Sequence, residues 1–407
     1  MRSACISAQI LGSNQNLIIT ENDSLWSKEI PFDSILLSTK SNNCDLNALA
    51  RLSGKSAIDV LPHEHHVRAL RTIASCHSLT FPPWKLLLND KQYAEFIEKI
   101  IIQARSILKT AAFNYFDSAW AIGNKVLDRL ERASIDTATL DKIIDSNSGN
   151  IPAAQTFEPL NDGLAPRVIY DRFGARTGRM TIQEGPHILT LKKEHRAMLK
   201  PSNSDSVLLN IDFSAMEARV VLYEHGGHCD DVDLYSKIAL ELNLPRNVVK
   251  GSVIAELYGM SKHALAAKLG LEKRVVFNYM KDLDAQFRVS ELKARLRTQY
   301  NELGYIKNRY GRCISIDDAL DHILLNYYTQ SSAVDVAMYG FNSILSMYSE
   351  MKLLFLVHDA MIVEVPIKLY ESLEKILKIK VPGYVSTFPV KVELLNPIQL
   401  NIFPKMS

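Results

Sequence analysis

The chain has 407 residues, 47% of them hydrophobic, with 47 Lys and Arg against 45 Asp and Glu and a net charge of +2. That length can bury two or three sizeable cores, and the even charge balance does not by itself announce a polyanion partner. No run of about 18 apolar residues exists for a membrane span, and the opening MRSACISAQILGSNQN is too weakly apolar for a signal peptide.

In chain order, NLIIT (16 to 20) and SILLS (34 to 38) are strand-like, and HEHH follows, with His63, His65 and His66 behind Pro62. With Cys76 and His77 these imidazoles could compose a zinc site, although Pro62 equally opens an ordinary helix with its histidines in water. The five cysteines show no paired spacing, which argues for a reducing compartment and an intracellular, cytoplasmic protein. Pro, Gly, Ser and Asn cluster at FPPW (81 to 84) and DSNSGNIP (145 to 152), marking breaks. Between them, residues 91 to 143 carry apolar residues three and four apart and predict helices; strand and helix signals then alternate, and long helices occupy about 246 to 300. Charge is concentrated locally: residues 288 to 312 hold seven Lys/Arg and two Glu, residues 162 to 200 hold eight Lys/Arg and four Asp/Glu, and Asp317, Asp318 and Asp321 follow. Basic surfaces beside acids suit a protein that holds a phosphate backbone and a metal at neighbouring places, while either run alone could be a solvated helix face.

Three stretches carry chemistry. FLVHDAMIVEV (355 to 365) has two apolar strand-forming runs interrupted by His358-Asp359. A continuous strand would bury the Asp359 carboxylate at a cost of several kcal/mol, so the run predicts a hairpin with Asp359 at its tip. SVLLNIDFSAMEARVVLYE (206 to 224) is an apolar strand ending at Asp212 and passing into a helix with Glu217 and Arg219. Two carboxylates on adjacent strand ends could hold two divalent cations for phosphoryl transfer; two unrelated polar turns are the plainer alternative. In LPRNVVKGSVIAELYGMS (244 to 261), Arg246, Lys250, Ile254 and Tyr258 recur every four residues, so each step drifts by about 40° and all share one helix face. Two cations near a helix N-terminus, then an apolar and an aromatic residue, suit a triphosphate and its base better than a core.

These stretches resemble the motifs of the family A DNA polymerases, the group of bacterial DNA polymerase I and many phage replicases. D-F-S-A-M-E-A-R (212 to 219) is similar to the first palm motif, Asp-Tyr-Ser-x-x-Glu-x-Arg. R-N-V-V-K-G-S-V-I-A-E-L-Y-G (246 to 259) matches the fingers helix Arg-x3-Lys-x3-Phe-x3-Tyr-Gly, with Ile254 where Phe is usual. His358-Asp359-Ala360 resembles the second palm motif, with Ala where Glu is usual. Thr177-Gly178-Arg179, Gly304-Tyr305, Tyr310-Gly311-Arg312, Asn326 and Gln330 stand in the family's order. The resemblance covers about residues 167 to 370.

It implies an α+β right-hand polymerase with an antiparallel-sheet palm (166–215 and 320–407), helical fingers (216–319) and a helical thumb-like region (86–165), preceded by residues 1–85 of unknown role. The implied function is template-directed DNA synthesis on primer-template DNA from dNTPs, with two Mg²⁺ ions, or Mn²⁺ in their place, held by Asp212, Asp359 and the Phe213 carbonyl. Arg246 and Lys250 would grip the triphosphate, with Lys250 able to protonate the leaving group. Tyr258 and Ile254 would border the nascent pair, Gly259 would allow close approach, and Glu217 would exclude a ribose 2′-hydroxyl. Arg179, Asn326, Gln330, His358 and Arg312 would contact DNA. A single-subunit RNA polymerase and a non-catalytic DNA-binding subunit on a polymerase scaffold are the rival readings; Glu217 argues against the first, while Ile254 and Ala360 keep the second open. The family's exonuclease opens on an Asp-x-Glu strand, and residues 1 to 160 contain no Asp-x-Glu, so no exonuclease is expected. Residues 1–85 are left as a surface for replisome proteins, in a bacterium or a phage-infected cell, with no membrane partner.

Overall fold

The computed structural model describes residues 3–6, 8–29, 34–37, 65–66, 68–69, 72–73, 84–86, 88–109, 113–146, 151–229, 231–317 and 319–395. They divide into two compact units. His63, Cys76, His77 and Asp318, with most of FPPW and the centre of DSNSGNIP, lie outside the described residues.

The first unit comprises Met1–Ser118 with Leu303–Lys307 and Gly311–Ser315. Its sheet contains β1 (Ser3–Ile6), β2 (Asn16–Thr20), β3 (Ser24–Ser27) and β4 (Ser34–Leu37), in the order β3-β2-β1-β4. β1 pairs antiparallel with β2 and parallel with β4. The apolar segment at the start of the chain is thus an inner strand, with Ala4, Cys5 and Ile6 wholly buried. Helix α1 (Asp90–Leu108) packs on β1 and β2. Asn89 caps it by accepting from the Gln92 amide at 2.9 Å, and the Tyr93 hydroxyl donates to the Leu11 carbonyl at 2.7 Å. These ties place α1 with the N-terminal sheet, so the first unit runs past the boundary expected at residue 85.

The second unit comprises Ala119–Glu302, Asn308–Tyr310 and Ile316–Ser407. Its sheet is built from β5 (Ser206–Phe213), β6 (Lys352–Val357), β7 (Ala360–Pro366), β8 (Ile376–Ile379) and β9 (Phe388–Leu394). All pairs are antiparallel, in the order β6-β7-β5-β9-β8. This is the expected antiparallel sheet and α+β class. β5 and β7 lie inside the sheet, and most of their residues are buried, Val207, Leu208, Leu209 and Ile211 on β5 and Met361, Ile362, Val363 and Val365 on β7. Helix α5 (Asp321–Met347) lies in the second unit's core with Leu324, Val336, Phe341 and Ile344 wholly buried. Its Gly340 is required: a Cβ there would stand 2.3 Å from the Phe213 ring, so only glycine lets that ring seat beneath the end of β5.

Around this core stand α2 (Met216–Glu224), α3 (Leu234–Leu242), α4 (Arg246–Leu257) and further helices Lys262–Leu269, Lys273–Phe287 and Val289–Leu303. The helices expected over 246 to 300 are therefore four, divided by Gly259 at φ 76, by an αL Gly270 cap and by Arg288 at φ 50. Among the described residues no helix is long and apolar enough to cross a membrane.

Candidate active site

The site begins with register. Asp212, the penultimate residue of β5, pairs with Ala360 on β7 and with Lys391 on β9. β6 and β7 are joined by a two-residue turn, His358-Asp359, so Asp359 immediately precedes the residue opposite Asp212. The predicted hairpin is present with the carboxylate at its tip. His358 holds φ 58, a left-handed conformation that histidine tolerates better than most non-glycine residues. The Phe213 amide donates to the Asp359 carbonyl at 3.2 Å, tying the tip to the end of β5.

Burial acts on both carboxyl groups, and the charge of Asp359 acts on Asp212. Burial first, then the charges of Asp359 and Glu393, push Asp212 up to about 6 against the opposing Lys391 and Lys193. Burial raises Asp359 as well, against its own backbone amide, His358 and Arg179. An adjacent pair held above the ordinary carboxylate range carries negative charge that a divalent cation would relieve. The donors are all oxygen, which suits Mg²⁺ better than a soft metal. Among the described residues no group of three or more His, Cys, Asp or Glu could hold a metal.

The face of α4 also follows expectation. Pro245 serves as N-cap, and Val248, Val249, Val253, Ala255 and Leu257 are buried. Arg246, Lys250, Ile254 and Tyr258 are all exposed. Tyr258 stands one residue beyond the last helical turn, at φ −100. Glycine at 259 has a local cause: at φ +76 a Cβ would stand 2.4 Å from the His322 ring of α5.

Arg179 donates to Glu217 at 2.6 Å, and the Tyr258 hydroxyl donates to Glu217 at 3.0 Å. Arg179, Glu217, Gln330, His358 and Asp359 line one cavity, floored by methionines that include Met216 and Met338. Gln330 donates to Asn326 at 2.8 Å. Burial, then Arg179, lowers the His358 imidazole, which favours its neutral form. Arg312 departs from expectation: at 3% exposure, with its guanidinium 5.9 Å from the Tyr115 ring centre, it offers no surface donor to a DNA backbone. It belongs to the first unit, where it packs as a core cation.

Sequence reading missed Arg196 and Lys193 on the turn Lys193–Met198, and Lys391 and Glu393 on β9, all of which act on the Asp212 charge or are acted on by it. The run KKEHR is visible only as local basicity, and nothing in it names Asp212 as its neighbour. Asp233 was missed too. It accepts from Arg246 at 2.7 and 3.2 Å, although an acid three residues before Ser236 is a readable helix N-cap. The zinc reading finds His65 and His66 with rings 4.1 Å apart, its other members lying outside the described residues.

Comparison with known proteins agrees with this geometry. The family model for DNA polymerase family A matches residues 137–398. A DNA polymerase of Mycobacterium phage L5 is 26% identical over 241 residues, covering 53% of this chain and 40% of that protein. DNA polymerase I of Borreliella burgdorferi is 25% identical over 255 residues, covering 54% of this chain and 28% of that protein. The chain therefore spans less than half the length of either relative. The POL domain of Pol1 from M. smegmatis, in complex with DNA primer-template and dNTP, shares the fold with a TM-score of 0.52 at 14% identity, over 96% of this chain and 94% of that one. A family match across more than half the chain, on a segment containing both carboxylate strand ends and the exposed face of α4, places the chain in DNA polymerase family A.

Proposed function

We propose that the chain is a template-directed DNA polymerase that adds dNTPs to a primer 3′ end. The observation that carries this reading is the pairing of β5 with β7, which sets Asp212 and Asp359 side by side at adjoining strand ends with raised carboxyl affinities for protons. Asp212, Asp359 and the Phe213 carbonyl would hold two divalent cations, Mg²⁺ or Mn²⁺, which when bound lower the pKa of a primer hydroxyl and neutralise charge on the phosphates. Lys250 has no ion-pair partner within 4.0 Å among the described residues, so its ammonium is available to a triphosphate and can give a proton to the departing pyrophosphate. Arg246 faces the same way but is already bonded to Asp233. Glu217, fixed by Arg179 and Tyr258, presents a filled, negatively charged wall where a ribose 2′-hydroxyl would enter. Arg179 and Gln330 would test the shape of the primer-terminal pair in the minor groove, where correct pairs offer alike acceptors, with Asn326 and His358 near the template and primer terminus.

Residues 1–85 take no part in proofreading in this reading. β1 reads Ser3-Ala4-Cys5-Ile6, wholly or nearly buried and without a carboxylate. They are left as a surface for replisome proteins. Primer extension with Mg²⁺ and either dNTPs or rNTPs tests the whole reading: templated dNTP addition is expected. Preferential rNTP use would make the chain an RNA polymerase. Primer-template binding without extension would make it a non-catalytic subunit.

A further inference from the structure

Asp233 stands against the cation at the head of the triphosphate face. Its two oxygens accept from Nε and Nη2 of Arg246, at 2.7 and 3.2 Å. This is the forked geometry by which a guanidinium would also take a phosphate. The carboxylate is also bonded on its other side. It caps α3, accepting from the Ser236 amide at 3.2 Å and the Ser236 hydroxyl at 2.9 Å. The loop leading to it is clamped by the fully buried Arg219, which donates to the carbonyls of Ser214 at 2.9 Å, Cys229 at 2.9 Å and Val232 at 3.1 Å, and to Asp231. Arg246 lies on the exposed face of α4 with 49% of its side chain accessible, against 39% for Asp233. Asp233 is bonded to the first turn of α3 as well as to Arg246, which leaves the arginine the more readily released partner.

Resting on the polymerase reading, we propose that Asp233 is a specificity-determining latch that competes with the incoming triphosphate for Arg246. A triphosphate has two ways to meet this arginine. It can displace Asp233 from the Nε and Nη2 fork, or it can use the remaining N–H donors with the fixed carboxylate still beside it. Either route weakens the ground-state grip, the first by exchange of a charge-assisted bond and the second by repulsion between anions. The same competition speeds release of pyrophosphate, which leaves through the same cation. Lys250, four residues along the face and without such a partner, keeps the site cationic while Arg246 is latched.

The test uses Asp233→Asn and Asp233→Ser, both of which retain a cap for α3, with thermal melting to confirm folding. Each should lower KM for dNTP and the inhibition constant for pyrophosphate by roughly 2- to 5-fold, with kcat equal to or below wild type, as expected for one partly exposed ion pair. In an Arg246→Ala background neither substitution should change either constant. Unchanged or raised KM in both variants, or a full effect that persists without Arg246, overturns the latch. Absence of dNTP incorporation by wild type would instead be the failure of the polymerase reading. In that event calorimetric binding of inorganic tripolyphosphate with Mg²⁺ still decides the latch: tighter binding by both variants supports it, and equal or weaker binding overturns it.

Discussion

The two halves of the candidate site are held by different forces. Asp212 and Asp359 are fixed by backbone pairing, since β5 and β7 are inner strands whose register leaves no alternative placement. Arg246, Glu217, Arg179 and Tyr258 are fixed by bonds between side chains that are substantially exposed, Glu217 the least so. Register is insensitive to a side-chain substitution, whereas an exposed pair can be exchanged for a ligand. The carboxylate pair is therefore preformed, while Arg246, Glu217, Arg179 and Tyr258 are held in side-chain pairs that a ligand could exchange.

The sharpest way to break this contrast is at the carboxylates. Asp212→Asn or Asp359→Asn should raise the extension barrier by on the order of 4 kcal/mol or more while primer-template binding stays near wild type. Single-turnover extension beside a DNA-binding titration measures both, and full activity in either variant would remove the centre from the mechanism. Next is the junction of Gly259, just past α4, with α5. Gly259→Ala forces a side chain into φ +76 and against His322, and should cost about 2–4 kcal/mol in folding stability. Denaturant unfolding of this variant, alone and with His322→Gly, which also removes the Cβ that would stand 2.5 Å away, should show part of the loss relieved in the double variant relative to His322→Gly alone; no loss in the single variant would mean the contact is soft.

A smaller effect is expected from the side-chain pairs. Glu217→Ala removes the wall and frees Arg179 and Tyr258 together, so discrimination against rNTPs should fall by roughly 1–3 kcal/mol. Comparison with Tyr258→Phe, which removes one bond to Glu217 and keeps the ring, separates steric exclusion from alignment. If kcat/KM ratios for dNTP over rNTP hold steady in Glu217→Ala, the carboxylate serves only to anchor its neighbours. The smallest change is expected at Ile254, which is 40% exposed on α4. A stiff, branched side chain gives less contact to a flat base than an aromatic ring, so Ile254→Phe should tighten dNTP binding by about 0.5–1 kcal/mol. Equal KM values would place Ile254 away from the nucleotide.

Local rules made much of this legible. A carboxylate buried without a partner inside an apolar strand costs several kcal/mol, which is why FLVHDAMIVEV turns at His358-Asp359, whereas Glu364, buried later in β7, is met there by Ser202 and Lys352. Helical periodicity put Arg246, Lys250, Ile254 and Tyr258 on one face, and the buried valines of α4 took the other. Tertiary structure decided what periodicity does not encode. Strand order set Lys391 opposite Asp212, and the fold brought the turn Lys193–Met198, which precedes β5, back so that Arg196 stands near the same carboxylate. It also buried Arg312, whose motif-like setting in Tyr-Gly-Arg gives no sign of burial. Glycine at 259 looks like room for a ligand until the fold brings His322 to it, and Asp233 looks like an ordinary helix cap until the fold brings Arg246 to it. Spacing along a chain fixes which side chains share a face or a strand end. Which charges meet across elements depends on strand order and helix packing, set by the burial of all the apolar faces together.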